Sequence, residues 1–226
     1  QITISSGWDK HTAVMVGDYV FAASATFVCE TGNIRVIKRF SETIMELSKG
    51  QLQETYNSYN PNVTAKEYLD RIYYKTASLF STSGESGAVL SGASESLVTT
   101  LKKYSLNIGL AFQIIDDILD FEGEESSIGK PVGTDLGNGI LTLPTIYAME
   151  DPKIHSGVTS YFKDETQSNN CAYLTCMVKN SNGIERSFSY ARQLVQEARE
   201  LLINLPGNTY RQSLENLSEF MISRLK

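Results

Sequence analysis

The sequence predicts an all-α fold, and three observations carry that reading. Proline occurs only at positions 61, 131, 144, 152 and 206 of the 226 residues. Between those points apolar residues recur mainly three and four apart, the spacing of one helix face. No stretch shows the strict alternation of a half-buried strand. With neither internal repeats nor a linker-like segment, residues 1–226 read as one helical domain.

The first helix is expected from about Asp9 to Cys29, ending at Glu30-Thr31-Gly32-Asn33, where Gly32 suits a left-handed helix end. A second runs through Val36, Ile37, Phe40, Ile44 and Leu47 toward Tyr56, with Pro61 soon after. Thr64 and Glu67 have capping-box spacing and open a third helix that continues to about Phe80. Ser83-Gly84-Glu85-Ser86-Gly87 is expected to loosen the chain. A long helix then reaches from near Ser94 to Phe121, and at 1.5 Å per residue it spans roughly 42 Å. Glu122 to Gly139 is Gly- and Ser-rich and reads as irregular; loops of that length are usually functional. Helices resume at Leu143-Pro144, continue through the amphipathic run Val195, Ala198, Leu201 and Leu202, and end in a segment that Thr209 and Gln212 would cap.

Composition narrows the functions. With 20 basic and 26 acidic residues the net charge is −6, which argues against a nucleic-acid partner held by general electrostatics. Phosphate binding must therefore be local or metal-assisted. Cys29, Cys171 and Cys176 form neither a zinc spacing nor an even disulfide set, so a reducing, cytoplasmic compartment is expected. No membrane-spanning run and no secretory leader is read from the sequence. The chain starts at Gln1, from which a cut or processed product is expected.

The most informative segment is Gly109-Leu110-Ala111-Phe112-Gln113-Ile114-Ile115-Asp116-Asp117-Ile118-Leu119-Asp120-Phe121. At about 100° per residue, Gln113, Asp116, Asp117 and Asp120 share a narrow stripe on an otherwise apolar helix. Crowded carboxylates on a buried helix repel one another and lose hydration, which a cation would relieve. Oxygen ligands without histidine suit Mg²⁺, whose remaining positions go to water and phosphate oxygens. Asp116, Asp117 and Asp120 are thus candidate metal ligands. Lys75 and Lys130, the second within Gly129-Lys130-Pro131-Val132-Gly133-Thr134-Asp135, are candidate phosphate-binding cations.

Together with Gly17-Asp18-Tyr19, Gly50-Gln51-Leu52-Gln53, Lys75-Thr76-Ala77-Ser78-Leu79-Phe80, Leu141-Thr142-Leu143-Pro144 and Gly183-Ile184-Glu185, these segments resemble the trans-isoprenyl (polyprenyl) diphosphate synthases of medium- to long-chain type. The resemblance implies an isoprenoid-synthase-like helical bundle around a central cavity, usually a homodimer. It implies Mg²⁺-dependent condensation of isopentenyl diphosphate with an allylic diphosphate, releasing diphosphate. Carried over, Asp116 and Asp120 bind metal, with Asp117 beside them acting directly or through water; Lys75 and Lys130 bind diphosphate; Thr76 and Gln113 steady the allylic cation; and Phe112 lies beside the isopentenyl site. It also implies that a first aspartate-rich motif and an arginine pair precede Gln1, so that the chain covers about the C-terminal two-thirds of the usual domain and condenses poorly alone. Ile140 departs from members that carry a lysine there. The alternative is a non-catalytic subunit or structural partner that uses the same helices for association.

Overall fold

The computed structural model describes residue 7 and residues 9–122, 132–163 and 170–224. The described elements are helical: α1 (Lys10–Glu30), α2 (Ile34–Tyr56), α3 (Ala65–Ile72), a π-helical turn (Tyr73–Ala77), α4 (Ser78–Leu90), α5 (Glu95–Glu122), α6 (Thr134–Gly137), α7 (Leu143–Ala148), α8 (Pro152–Lys163), α9 (Asn170–Lys179), α10 (Gly183–Leu202) and α11 (Thr209–Ser223).

Helix α5 is the axis of the bundle, packed chiefly against α4 on one side and α10 on the other. Its length follows from composition: 28 residues without proline, carrying buried Val98, Tyr104, Ile108, Ala111, Ile114, Ile115, Ile118 and Phe121. Burying each isoleucine stabilises the fold by about 1.5–3 kcal/mol. The main core joins these to Tyr68 and Ile72 of α3 and to Ala191, Leu194, Val195, Ala198 and Leu202 of α10. A second cluster, from Phe121 and Leu136 to Ile154, Val158, Leu174 and Val178, closes the end of the bundle at which α5 terminates.

Local signals account for several boundaries. Thr64 and Glu67 form the reciprocal capping box expected of them, and Gly32 takes φ +61 just beyond α1. Two expectations are corrected. The Ser83–Gly87 stretch is not loosened; it is continuous helix within α4. There Glu85 is clamped by Lys102 at 2.7 Å and Arg35 at 3.2 Å, and Gly84 lets α4 approach Leu101 and Ser105 of α5 more closely than a Cβ would permit. The cap of α11 is Asn208, whose side chain accepts from Arg211 N–H, not Thr209; asparagine is the better acceptor at that position.

Helix α1 stands apart. Its 21 residues include no buried one, and Val14, Met15, Tyr19, Val20, Phe21 and Phe27 are exposed. By length and composition it is apolar enough to cross a bilayer, with a mean hydropathy of 1.5, so the expectation that no run reaches that threshold is corrected. The polar residues within it do not prevent this, since the hydroxyls of Ser24 and Thr26 are satisfied by backbone carbonyls within the helix.

Candidate active site

Lys75 lies on the π-helical turn, where a helix 26 residues long from Ala65 to Leu90 widens for one turn. Such turns are rare and frequently mark functional sites. Gly50 of α2 makes room for it, since a Cβ there would meet the backbone nitrogen of Lys75. The ammonium donates to both oxygens of Glu54, at 2.7 and 2.6 Å. Glu54 went unnoticed in the sequence; it sits directly after Gly50-Gln51-Leu52-Gln53, one helical turn from Gly50.

Next to Lys75, Thr76 Oγ1 donates to Gln113 Oε1 at 2.6 Å. The same amide gives its Nε2 hydrogen to Asp117 Oδ1 at 2.8 Å, and Tyr68 OH donates to Asp117 Oδ2 at 2.7 Å. This relay fixes which way the Gln113 amide faces, because only its oxygen can accept from Thr76 while only its NH₂ can serve Asp117.

The three aspartates of the stripe part company. Asp117 is 5% exposed, and burial pushes its carboxyl up to about 7 against the opposing hydrogen bonds from Tyr68 and Gln113. Both of its carboxylate oxygens thus accept from protein donors. Asp116, one residue earlier, has a half-exposed side chain that reaches Arg224 at 3.5 Å. Arg224 also lies 5.0 Å above the Phe112 ring, and Phe112 packs on Phe80 with centroids 5.5 Å apart. Asp120 accepts the backbone N–H groups of Thr134 and Asp135 at 3.2 and 3.1 Å, so it holds the start of α6. That positions Asp135, a carboxylate quoted in the sequence motif without a role. Burial, reinforced by the negative charges of Asp120 and Glu54, raises Asp135 to about 6.

These groups meet at a cavity of about 150 Å³ whose walls include Glu54, Lys75, Gln113, Asp116, Asp117 and Asp135. Arg71 and Ile140 complete its lining. The structure thus brings together Lys75, Gln113, Asp116 and Asp117, with Thr76 and Asp120 one hydrogen bond behind them. Phe112 is tied in through Arg224. Lys130 lies outside the described residues.

Among the described residues no three metal-ligating side chains converge as a ready-made cage. The donor set fits a divalent ion in a different way. Asp116 is accessible, Asp135 is a desolvated carboxylate that a cation would ionise, and an Mg²⁺-sized ion commonly takes one or two carboxylates with water and phosphate oxygens making up the rest. An open and largely apolar groove of about 970 Å³ follows α2 past Ile44, Met45, Leu52 and Tyr56.

The sequence profile described as polyprenyl synthetase matches residues 1–176. Over 224 residues the chain is 36% identical to the chloroplastic solanesyl-diphosphate synthase 2 of Oryza sativa subsp. japonica, covering 99% of this chain and 55% of the rice protein. It is 35% identical over 222 residues to heptaprenyl diphosphate synthase component 2 of Geobacillus stearothermophilus, covering 98% of this chain and 69% of that one. The crystal structure of heptaprenyl diphosphate synthase from Staphylococcus aureus superposes with a TM-score of 0.93 at 32% identity, over 98% of this chain and 70% of the other. A decaprenyl diphosphate synthase from Rhodobacter capsulatus gives 0.90 at 31% identity, over 99% and 70%. The chain therefore spans little more than half of its rice relative, yet profile, sequence and fold agree over its own length: it belongs to the polyprenyl synthetase family.

Proposed function

We propose that the chain supplies the Lys75 and Asp116 side of the active site of a Mg²⁺-dependent prenyltransferase, which joins isopentenyl diphosphate head-to-tail to an allylic diphosphate and releases diphosphate. The observation that carries this reading is the single cavity on which Lys75, Gln113, Asp116 and Asp135 converge from three separate segments. Its mixture of a cation, carboxylates and one oriented amide matches a diphosphate leaving group and the carbocation it leaves behind.

In this reading Lys75, released from Glu54, neutralises diphosphate oxygens, and Asp116 and Asp135 would hold the ion, with Asp120 fixing the segment that carries Asp135. Bound there, Mg²⁺ supplies charge neutralisation for the departing diphosphate. As the allylic C–O bond breaks, the oxygens of Gln113 and Thr76 face the cation as fixed dipoles. The isopentenyl double bond forms the new C–C bond and a proton is lost to restore an alkene. Phe112, stacked on Phe80 and backed by Arg224, would form a wall beside the isopentenyl group. Lys130 is a further diphosphate ligand in this proposal, on the family motif alone.

The same reading makes the protein a cytoplasmic homodimer. The apolar side chains exposed around α1 offer a surface that a second copy would bury, and the three cysteines are free thiols. The test is condensation of labelled isopentenyl diphosphate with an allylic diphosphate by the full-length gene product, with Mg²⁺ and with chelator. Product formation that stops on chelation supports the reading; chelator-insensitive turnover, or none in the presence of Mg²⁺, overturns it.

A further inference from the structure

Arg71 makes no direct ion pair among the described residues. It is 4% exposed and lines the same cavity as Lys75, about one helical turn before it in the chain. A guanidinium keeps its proton at every pH a protein survives, so burial cannot be relieved by neutralisation. Among the described residues no carboxylate lies within the 4.0 Å of an ion pair with it. Asp117 and Asp135 are near enough for its charge to favour their ionised forms, but neither reaches it. The other carboxylates of the cavity are engaged: Glu54 with Lys75 and Asp116 with Arg224.

Its hydrogen bonding is equally incomplete. Nη2 donates to the Leu141 carbonyl at 2.7 Å, Nε is buried with no partner, and the guanidinium stands 5.4 Å from the Tyr68 ring. A buried cation in this state is costly unless an anion joins it. A planar fork facing a small cavity is suited to the paired oxygens of a phosphate group.

We infer that Arg71 is a second anion-binding cation of the cavity, taking diphosphate oxygens alongside Lys75. The inference rests on the cavity being the diphosphate site of the proposed function. The competing role is a strut that only secures the Leu141 carbonyl and stacks on Tyr68. Ile140, on the wall of the same cavity, offers a position from which a lysine could restore the charge.

The test is calorimetric titration of the purified protein with inorganic diphosphate in the presence of Mg²⁺, with thermal melts of each variant. Arg71→Met should weaken binding by about tenfold or more, the usual worth of a charge-assisted hydrogen bond, and adding Ile140→Lys should recover most of the loss. Arg71→Gln keeps an N–H for the Leu141 carbonyl and loses the charge, so it should lose affinity equally and decides the matter if the methionine variant does not fold. A folded Arg71→Gln or Arg71→Met protein that binds diphosphate as tightly as the parent overturns the role of Arg71 and leaves the diphosphate site standing. A parent protein that does not bind diphosphate overturns both.

Discussion

Asp116 and Asp117 are neighbours in sequence and opposites in environment, and their substitutions should separate accordingly. Asp117→Ala would strand the buried Tyr68 hydroxyl and the Gln113 amide, a loss of about 2–3 kcal/mol. For a chain of this size that lowers the melting temperature by roughly 5–10 °C, measurable by circular dichroism. Asp116→Ala removes a half-exposed carboxylate, so its melting temperature should stay close to that of the parent. Its condensation rate in the full-length gene product should instead fall on the order of 100-fold or more. Normal turnover in that variant would sink the assignment of Asp116. The helical stripe was legible in the sequence because angular spacing is local. The inward turn of Asp117 was not, since its partner Tyr68 is 49 residues away. Arg71 stayed hidden for the same reason: its isolation is a property of the cavity and not of α3.

At the scale of elements, the clearest case is the contact between α2 and the π-helical turn. Gly50→Ala would force the backbone at Lys75 outward, at a cost of about 1–3 kcal/mol typical of overpacking. Diphosphate affinity should drop with it; a variant with the parent's melting temperature and affinity would show that the close approach is dispensable. Glu85 makes a second test, because it joins α2, α4 and α5 through Arg35, Arg39 and Lys102. Burial opposes its charge, but the hydrogen bonds and charges of Lys102 and Arg35 prevail and hold its carboxyl below the usual range. A depressed carboxylate contributes stability above its unfolded pKa and loses it as the pH falls through the folded value. Glu85→Gln should therefore melt a few degrees lower at pH 7 and converge on the parent as the pH falls through the depressed folded value, with a flatter acid limb. The capping box at Thr64 was readable because both of its partners are three residues apart. The continuity of α4 was not, because serines and glycines that favour a loop locally are overruled by ion pairs and close packing supplied by α2 and α5.

For the whole molecule, the order of helices and the long central α5 followed from periodicity, whereas the exposure of the apolar side chains of α1 is a tertiary property that periodicity does not show. Its exposed apolar face predicts self-association: Val20→Asp together with Phe27→Asp should convert a dimer into a monomer in light scattering after size exclusion. A parent protein that runs as a monomer at micromolar concentration would refute the assembly. The π-helical turn has a consequence that reaches across the bundle. A turn closed by i→i+5 hydrogen bonds holds one residue more than an α-turn, so it acts as a phase shift inserted into the helix from Ala65 to Leu90. Closing it as a uniform α-turn with all its residues kept would rotate everything after it by about 100°. Ser78, Ser81, Thr82 and Glu85, now buried, would swing off the face they occupy, and the helix could satisfy Lys75 or its contacts with α5, but not both.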